Sequence, residues 1–362
     1  MPGLCAKENI LVIGPSWIGD MVLAHSLFQV IRRRLPHGTL DVVAPSWSAS
    51  LLMRMPEVDG VVELDCGHGK LGLVRRYTLG RKLRRRHYSQ AIVLPNSFKS
   101  GLVPHWAGIP HRTGYRSELR GTLFTDYRRL DKQALPRLVD RFVALGVDAN
   151  ALLPRVPMPR LQVSTHQRDD ALGRLGLARP QNPLLILCPG AEYGPAKCWP
   201  PDHYGAVARH YIDQGWMVWV VGSARDRSIA EKINSLVGGR CTNLVAMTSL
   251  LEAVELLSLA DQVLSNDSGL MHVAAALGRP VVALFGSSDP GYTPPLGDQV
   301  HILSLDLACR PCFKRECPLG HGRCLTELKP SQVIRAMKDG VKPANTLNLP
   351  TTSHAHYSEA AC

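Results

Sequence analysis

The turn between the first strand and the first helix, Gly14 to Asp20, lacks both a G-x-G-x-x-G fingerprint and a complete P-loop, so the two commonest glycine-rich nucleotide cradles are excluded there. Gly14 and Gly19 have P-loop spacing, but Asp20 and Met21 stand where the phosphate-binding Lys and the Ser/Thr belong. No apolar run approaches the ~20 residues of a membrane span, and Met1 to Ile18 lacks the basic start, long apolar stretch and cleavage site of a secretory signal. Aromatic residues make up only 6% of the chain and no nucleic-acid motif is present, which argues against nucleic acid as a partner. Ten cysteines in 362 residues are too sparse for a secreted disulfide scaffold. Cys5, Cys66, Cys188, Cys198 and Cys241 are scattered, several in apolar runs that suit reduced, buried thiols. A soluble, intracellular protein is the expectation.

What is present is length, apolar content and positive charge. At about 100 to 200 residues per domain, 362 residues suggest two domains facing a cleft, and a 45% hydrophobic fraction supports a sizeable core in each. The net charge of +12 calls for an acidic partner or surface without choosing among nucleic acid, membrane and anionic glycan.

Short apolar runs alternate with helical periods through both halves, the signature of parallel sheets covered by helices. In the first half, strands are expected at Ile10 to Ile13, Leu40 to Ala44, Val61 to Leu64 and Ala91 to Leu94, with a helix from Ile18 to Arg34 stopped before Pro36. The proline-rich segment Ala151 to Leu161 reads as the linker. The second half restarts with strands at Leu184 to Cys188 and Met217 to Val221. The expected division is residues 1–160, 161–345 and a disordered tail at 346–362, whose neighbourhood is rich in Pro, Thr, Ser, His and Ala.

The segment Ser265 to Gly286 is the most informative. A strand ends at Ser265, Asn266-Asp267-Ser268-Gly269 opens a helix, Gly278 closes it, and Val281 to Phe285 forms another strand. Ligands in open α/β sheets bind outside the carboxyl ends of strands, where a helix start suits a phosphate and Asp267 suits a hydroxyl. Asp267 or Ser268 would equally serve as a helix cap, and His272 as a core histidine.

Asp20 lies in the first turn of the first helix. The helix dipole keeps a carboxylate there ionised and able to take a proton from a hydroxyl, so Asp20 is either a general base or a helix stabiliser. The glycine- and proline-punctuated loop Pro189 to Pro200 ends near Lys197, an ammonium for a bound phosphate or a solvated lysine. At another strand end, Asp226 or Glu231 would bind a ribose hydroxyl or simply meet solvent. Arginines and lysines crowd Arg75 to Arg86, followed by Asn96, Lys99, Arg112, Arg116 and Arg120. They form either a solvated basic face or a surface for an acceptor carrying phosphates and carboxylates. Cys309, Cys312, Cys317 and Cys324, with His321 among them, read as a structural zinc site or as reduced thiols.

The segments SWIGDM, LPNSFKS, GIPHRTGY, PGAEYGPAKCWP and NDSGLMHVAAALGRP, in this order, resemble the ADP-heptose:lipopolysaccharide heptosyltransferases of glycosyltransferase family 9, over about residues 8 to 340. The resemblance implies a GT-B fold of two Rossmann-like domains and a metal-free inverting transfer of heptose from ADP-heptose to the first heptose of the lipopolysaccharide inner core, a Kdo-lipid A carrying one heptose. It implies Asp20 as base, Lys197 on the phosphates, Asp267, Ser268, Gly269 and His272 in the donor motif, and no required cofactor. The first domain would hold the acceptor, at the inner face of the cytoplasmic membrane with its anionic surface. Another member of the family, acting earlier or later on the core, and a non-catalytic nucleotide-sugar-binding protein are the rivals. The cysteine cluster, and Cys198 beside Lys197, have no place in the shared chemistry.

Overall fold

The structure is a computed structural model that describes residues 8–66 and 70–338. The expected tail at 346–362 lies outside the described residues, as do residues 339–345 of the second half.

The first half runs β1 (Asn9–Ile13), α1 (Ile18–Arg34), β2 (Thr39–Ala44), α2 (Ser46–Leu52), β3 (Gly60–Glu63), α3 (Leu73–Leu83), β4 (Gln90–Val93), α4 (Leu102–Trp106), β5 (His111–Tyr115), β6 (Asp126–Arg128) and α5 (Leu138–Leu145). The second contains α6 (Thr165–Arg174), β7 (Leu184–Cys188), α7 (Pro201–Ile212), β8 (Met217–Val220), α8 (Arg227–Leu236), β9 (Thr242–Asn243), α9 (Leu250–Leu257), β10 (Gln262–Asn266), α10 (Gly269–Ala276), β11 (Val281–Leu284) and β12 (Val300–Leu303). Two short helices, α11 (Arg323–Thr326) and α12 (Pro330–Lys338), follow.

Each half carries one six-stranded sheet, in the orders β3-β2-β1-β4-β5-β6 and β12-β11-β10-β7-β8-β9. Counted within its own half, the second sheet has the same order as the first, that of the doubly wound nucleotide-binding fold. Every strand pair is parallel. The order reverses between β1 and β4 in one half and between β7 and β10 in the other, and ligands of such sheets sit at this reversal. The central strands β1, β7, β10 and β11 are buried on both faces, as parallel sheets require, and all but β10, which ends in Ser265 and Asn266, are largely apolar. Strands β5, β6, β9 and β12, toward the outer sides of the sheets, are short and partly polar, and the sequence reading passed over them.

The halves share a core. Met21, Ala24 and Phe28 of α1 belong to the same apolar cluster as Met271, Ala274 and Ala275 of α10. The connecting segment has no regular structure but is tied down. Ser26 Oγ donates to Pro157 O (2.6 Å), Gln29 Nε2 to Met158 O (2.8 Å), and the Arg160 N–H to His25 Nδ1 (3.0 Å). Beyond it, the Leu161 N–H donates to Ala276 O (2.9 Å) at the end of α10.

An ion pair also crosses the halves. Arg54, just after α2, donates to Glu255 of α9, both nearly without solvent exposure, and Arg174 approaches the other Glu255 oxygen at 3.4 Å. Removing one member of a buried pair strands a charge and destabilises by about 3–5 kcal/mol, whereas replacing both by apolar residues is often neutral. Glu255→Ala should therefore lower the melting temperature strongly, and Arg54→Met/Glu255→Leu should recover most of the loss. Calorimetry of the single and double variants checks this; equal losses would refute it.

Candidate active site

The site forms where the starts of two helices, one from each half, meet. In α1 the turn Gly14 to Trp17 leaves β1, and the helix begins at Ile18 with Asp20 in its first turn. In α10 the chain leaves β10 at Asn266 and the helix begins at Gly269. Both contacts need glycine. A Cβ on Gly19 would stand 2.6 Å from Cδ2 of His272, and a Cβ on Gly269 would stand 2.9 Å from Cβ of Ile18. The absence of two methyl groups lets the helix starts touch.

Neither start is closed by a side-chain cap. By contrast α6 and α9 carry full capping boxes, Ser164 with Gln167 and Ser249 with Glu252. Ser268 occupies the N-cap position of α10, yet its hydroxyl pairs with that of Ser265 (3.3 Å). Asp267, the other expected cap, is engaged elsewhere. The positive end of the α10 dipole therefore faces the seam without a side-chain acceptor of its own.

Lys197 ends a 3-10 turn, Pro195–Lys197, in the long loop after β7. Its Nζ lies 2.5 Å from Oδ2 of the buried Asp267 and 5.1 Å from the centroid of the Tyr193 ring. The same Asp267 oxygen accepts the Ser288 hydroxyl. Asn266, fully buried, fixes this corner from behind: its Oδ1 accepts from the Trp199 N–H (3.1 Å) and the Tyr204 hydroxyl (3.0 Å), and its Nδ2 donates to Pro189 O (2.5 Å). Both ends of the Lys197 loop thus hang on one amide. Sequence reasoning assigned no role to Asn266, Ser288 or Tyr193, although Asn266 lies inside the motif that it singled out.

Asp20 stands within electrostatic reach of Lys197 and Asp267 across the seam. Burial pushes its carboxyl up to about 6; the Lys197 ammonium pulls it down and the Asp267 carboxylate pushes it up. Burial also holds the His272 imidazole down at about 4, with Asp267 opposing and Lys197 adding to the effect. At neutral pH Asp20 is a carboxylate and His272 is uncharged. The His272 ring packs on Gly19, and its Nδ1 has no hydrogen-bond partner among the described residues. Tyr292 lies under the guanidinium of Arg141 (4.8 Å to the ring centroid), and its O accepts the Leu138 N–H (2.9 Å) across the halves.

The remaining expected residues divide. Asp226 sits at the carboxyl edge beyond β8, where its Oδ2 accepts from the Ser223 N–H (2.8 Å) and hydroxyl (2.9 Å) in a capping box. Asn96 and Arg116 are exposed, and Lys99 is partly exposed with its Nζ on Lys70 O (3.1 Å). Arg120 is fully buried: it donates to Pro95 O (2.8 Å), Ser100 Oγ (3.0 Å) and Tyr115 O (2.7 Å), and reaches Asn96 Oδ1 at 3.3 Å. Arg112 turns inward too, donating to Leu123 O (2.7 Å) and to Ile109 O. Arg120 thus shapes the loop that carries Asn96 and Lys99, while Arg112 braces the segment from Ile109 to Leu123, and neither guanidinium is presented to an acceptor.

Cys309, Cys312, Cys317 and Cys324 are free thiols that line one cavity of about 290 Å³ together with His321. Among the described residues no three His, Cys, Asp or Glu side chains converge closely enough to hold a metal ion, so the thiols as placed do not fit a tetrahedral zinc site. The segment braces the Lys197 loop instead: the Ala196 N–H donates to Arg315 O (3.0 Å), and Arg315, like Lys197, lies over the Tyr193 ring (5.2 Å to the centroid).

Residues 76–322 match the family model of glycosyltransferase family 9 (heptosyltransferase). The chain is 43% identical to lipopolysaccharide heptosyltransferase 2 of Escherichia coli K12 over 91% of its own length and 97% of that protein's. It is also 43% identical to lipooligosaccharide heptosyltransferase 2 of Haemophilus influenzae, over 82% and 88% of the two chains. The solved structure of Escherichia coli ADP-heptose lipopolysaccharide heptosyltransferase II superposes with a TM-score of 0.81 at 41% identity, covering 91% of this chain and 98% of that one. A solved family 9 glycosyltransferase from Veillonella parvula, 20% identical, shares the fold with the same TM-score. With two doubly wound domains of the GT-B type meeting at an uncapped pair of helix starts, the chain belongs to glycosyltransferase family 9, the heptosyltransferases.

Proposed function

We propose that this protein transfers L-glycero-D-manno-heptose from ADP-heptose to the first heptose of the lipopolysaccharide inner core, with inversion at the anomeric carbon, at the cytoplasmic face of the inner membrane. One observation carries the chemical part. The Asp20 carboxylate and the Lys197 ammonium belong to different halves and lie within electrostatic reach of each other at the contact of α1 with α10. The relatives named for heptose transfer, at 43% identity over nearly whole chains, supply the sugar and the acceptor class.

Asp20 takes the proton of the acceptor hydroxyl as its oxygen bonds to the anomeric carbon. The bond from that carbon to the β-phosphate oxygen breaks, and its electron pair leaves with ADP. Lys197 and the backbone N–H groups at the start of α10 receive the charge that develops on the diphosphate. Asp267 holds Lys197 in place. His272, uncharged, contributes shape and a polar Nδ1 but no charge. On the acceptor side, the exposed Arg116 and Asn96 and the partly exposed Lys99 are the groups available to the anionic core.

Incubation with ADP-heptose and core acceptors ending either in Kdo or in one heptose, with product mass and linkage determined, tests the assignment; transfer only to the Kdo-terminated acceptor would overturn the acceptor choice. Asp20→Asn should reduce turnover by roughly 100- to 10,000-fold while donor affinity is kept. Because the base works deprotonated and burial raises its pKa, kcat/KM should rise with pH through about 6 and level off above it. A flat profile between pH 5 and 7 would remove Asp20 from this role. Lys197→Ala withdraws the charge that pulls Asp20 down, so this acid limb should move to higher pH while donor use falls by roughly 100-fold or more. Gly19→Ala forces the helix starts apart, and turnover should drop by on the order of 10-fold or more, with circular dichroism unchanged.

A further inference from the structure

Four of the fifteen exposed large apolar side chains among the described residues fall within seven positions of one another. Leu71, Leu73, Val74 and Tyr77 are 45%, 48%, 79% and 50% exposed, and they cluster at the start of α3. The orientation of the helix is not free. Its other face is buried through Arg76, Gly80 and Leu83, and Gly80 lies so close to Trp106 of α4 that a Cβ would stand 2.7 Å from the Trp106 Cβ. Arg76 Nε donates back to Leu71 O (2.9 Å) and fixes the turn that presents the apolar group. The Tyr77 ring meets the edge of Trp106 (5.5 Å between centroids) and leaves its other side to solvent.

The chain that follows Asp65 into this tip is basic. From Asp65 to Glu118 the chain has no acidic residue between, and it carries eleven lysines and arginines. Arg75 is exposed beside the tip, and Arg81, Lys82 and Arg85 are exposed one to two turns further along. An apolar tip on a basic helix is what an anionic bilayer selects: the apolar groups enter the headgroup boundary, and each nearby cation adds about 1 kcal/mol at a negatively charged leaflet. A soluble protein partner would not require fifty residues free of carboxylates.

The place of the tip fits this partner. It follows β3 at the carboxyl edge of the first sheet, and Lys99, in the loop after β4 on the same edge, donates to Lys70 O (3.1 Å). Asp20 follows β1 on that edge as well.

We propose that Leu71, Leu73, Val74 and Tyr77, flanked by Arg75, Arg81, Lys82 and Arg85, form a docking surface for an anionic lipid bilayer. The surface brings the acceptor side of the site to the leaflet in which a lipid-linked acceptor is anchored, and it rests on the lipopolysaccharide reading given above.

Co-sedimentation of the full chain with vesicles of phosphatidylcholine containing phosphatidylglycerol, or of phosphatidylcholine alone, tests it. The protein should partition onto the anionic vesicles and be released by salt, and Leu73→Glu/Val74→Glu should reduce the partition at least about 10-fold. Val74→Ser is the milder variant, should the double change disturb folding. Arg81→Gln/Lys82→Gln should weaken binding and flatten its salt dependence. Leu73→Glu/Val74→Glu should also lose transfer to vesicle-embedded acceptor while keeping transfer to a deacylated, water-soluble one. Unchanged partition of both apolar variants overturns the proposal, and so does an equal loss on the soluble acceptor, which would assign the patch to the acceptor sugars. Wild-type protein that binds vesicles but transfers to neither acceptor would sink the transfer reading alone.

Discussion

Everything at the site depends on the contact between the starts of α1 and α10. A helix start is a cluster of unpaired N–H groups with a partial positive charge, and two of them brought together repel unless an anion intervenes. Here the first intervening anion is Asp20 itself, seated in the first turn of α1, and the second is Asp267, just ahead of α10. Gly19 and Gly269 keep the two backbones close enough for these carboxylates and Lys197 to sense one another. Burial then raises the Asp20 carboxyl into the range where a base works near neutral pH. The same crowding keeps His272 uncharged, so Lys197 is the cation at this contact.

The arrangement resolves several readings that the sequence leaves open. Asp267 is neither a helix cap nor exposed to the seam on its own: it is buried and bound to Lys197 and Ser288. Ser268 stands at the cap position without capping. The start of α10 is thus left without a side-chain cap, which is the condition a diphosphate needs.

How much the sequence discloses follows from physics rather than from chance. Strands in the middle of a parallel sheet are buried on both faces, so β1, β2, β7 and β11 are visible as short, largely hydrophobic runs. The outlying strands β5, β6 and β9 are held by their neighbours' hydrogen bonds and need no such signal; Asp126-Tyr127-Arg128 looks like a loop until β5 is beside it. Helix α1 is legible to the residue because Pro36 stops it and the turn after β1 starts it. At the site, Asp20 and Lys197 stand out because each lies beyond a strand end where this fold binds ligands, and the family resemblance is what singles them out from an ordinary helix stabiliser and a solvated lysine. Asn266 and Arg120 are not, because their work is inward: one amide and one guanidinium whose partners are mostly backbone carbonyls and N–H groups far away in sequence. Nothing in a single sequence separates Arg120 from Arg116, yet one is sealed inside the loop and the other lies on its surface.

The shared core has a bearing on how such chains can be rebuilt. Met21 and Phe28 pack in one cluster with Met271 and Ala274, and the segment between the halves is pinned to α1 on one side and to the end of α10 on the other. A second half grafted from a relative onto this first half would arrive with a foreign α10 against a native α1. Such a chimera would have to carry the mating helix, its glycine and the connecting segment as one cassette, because the boundary that matters for recombination runs through the packing of two helices and not through the proline-rich stretch where the chain crosses over.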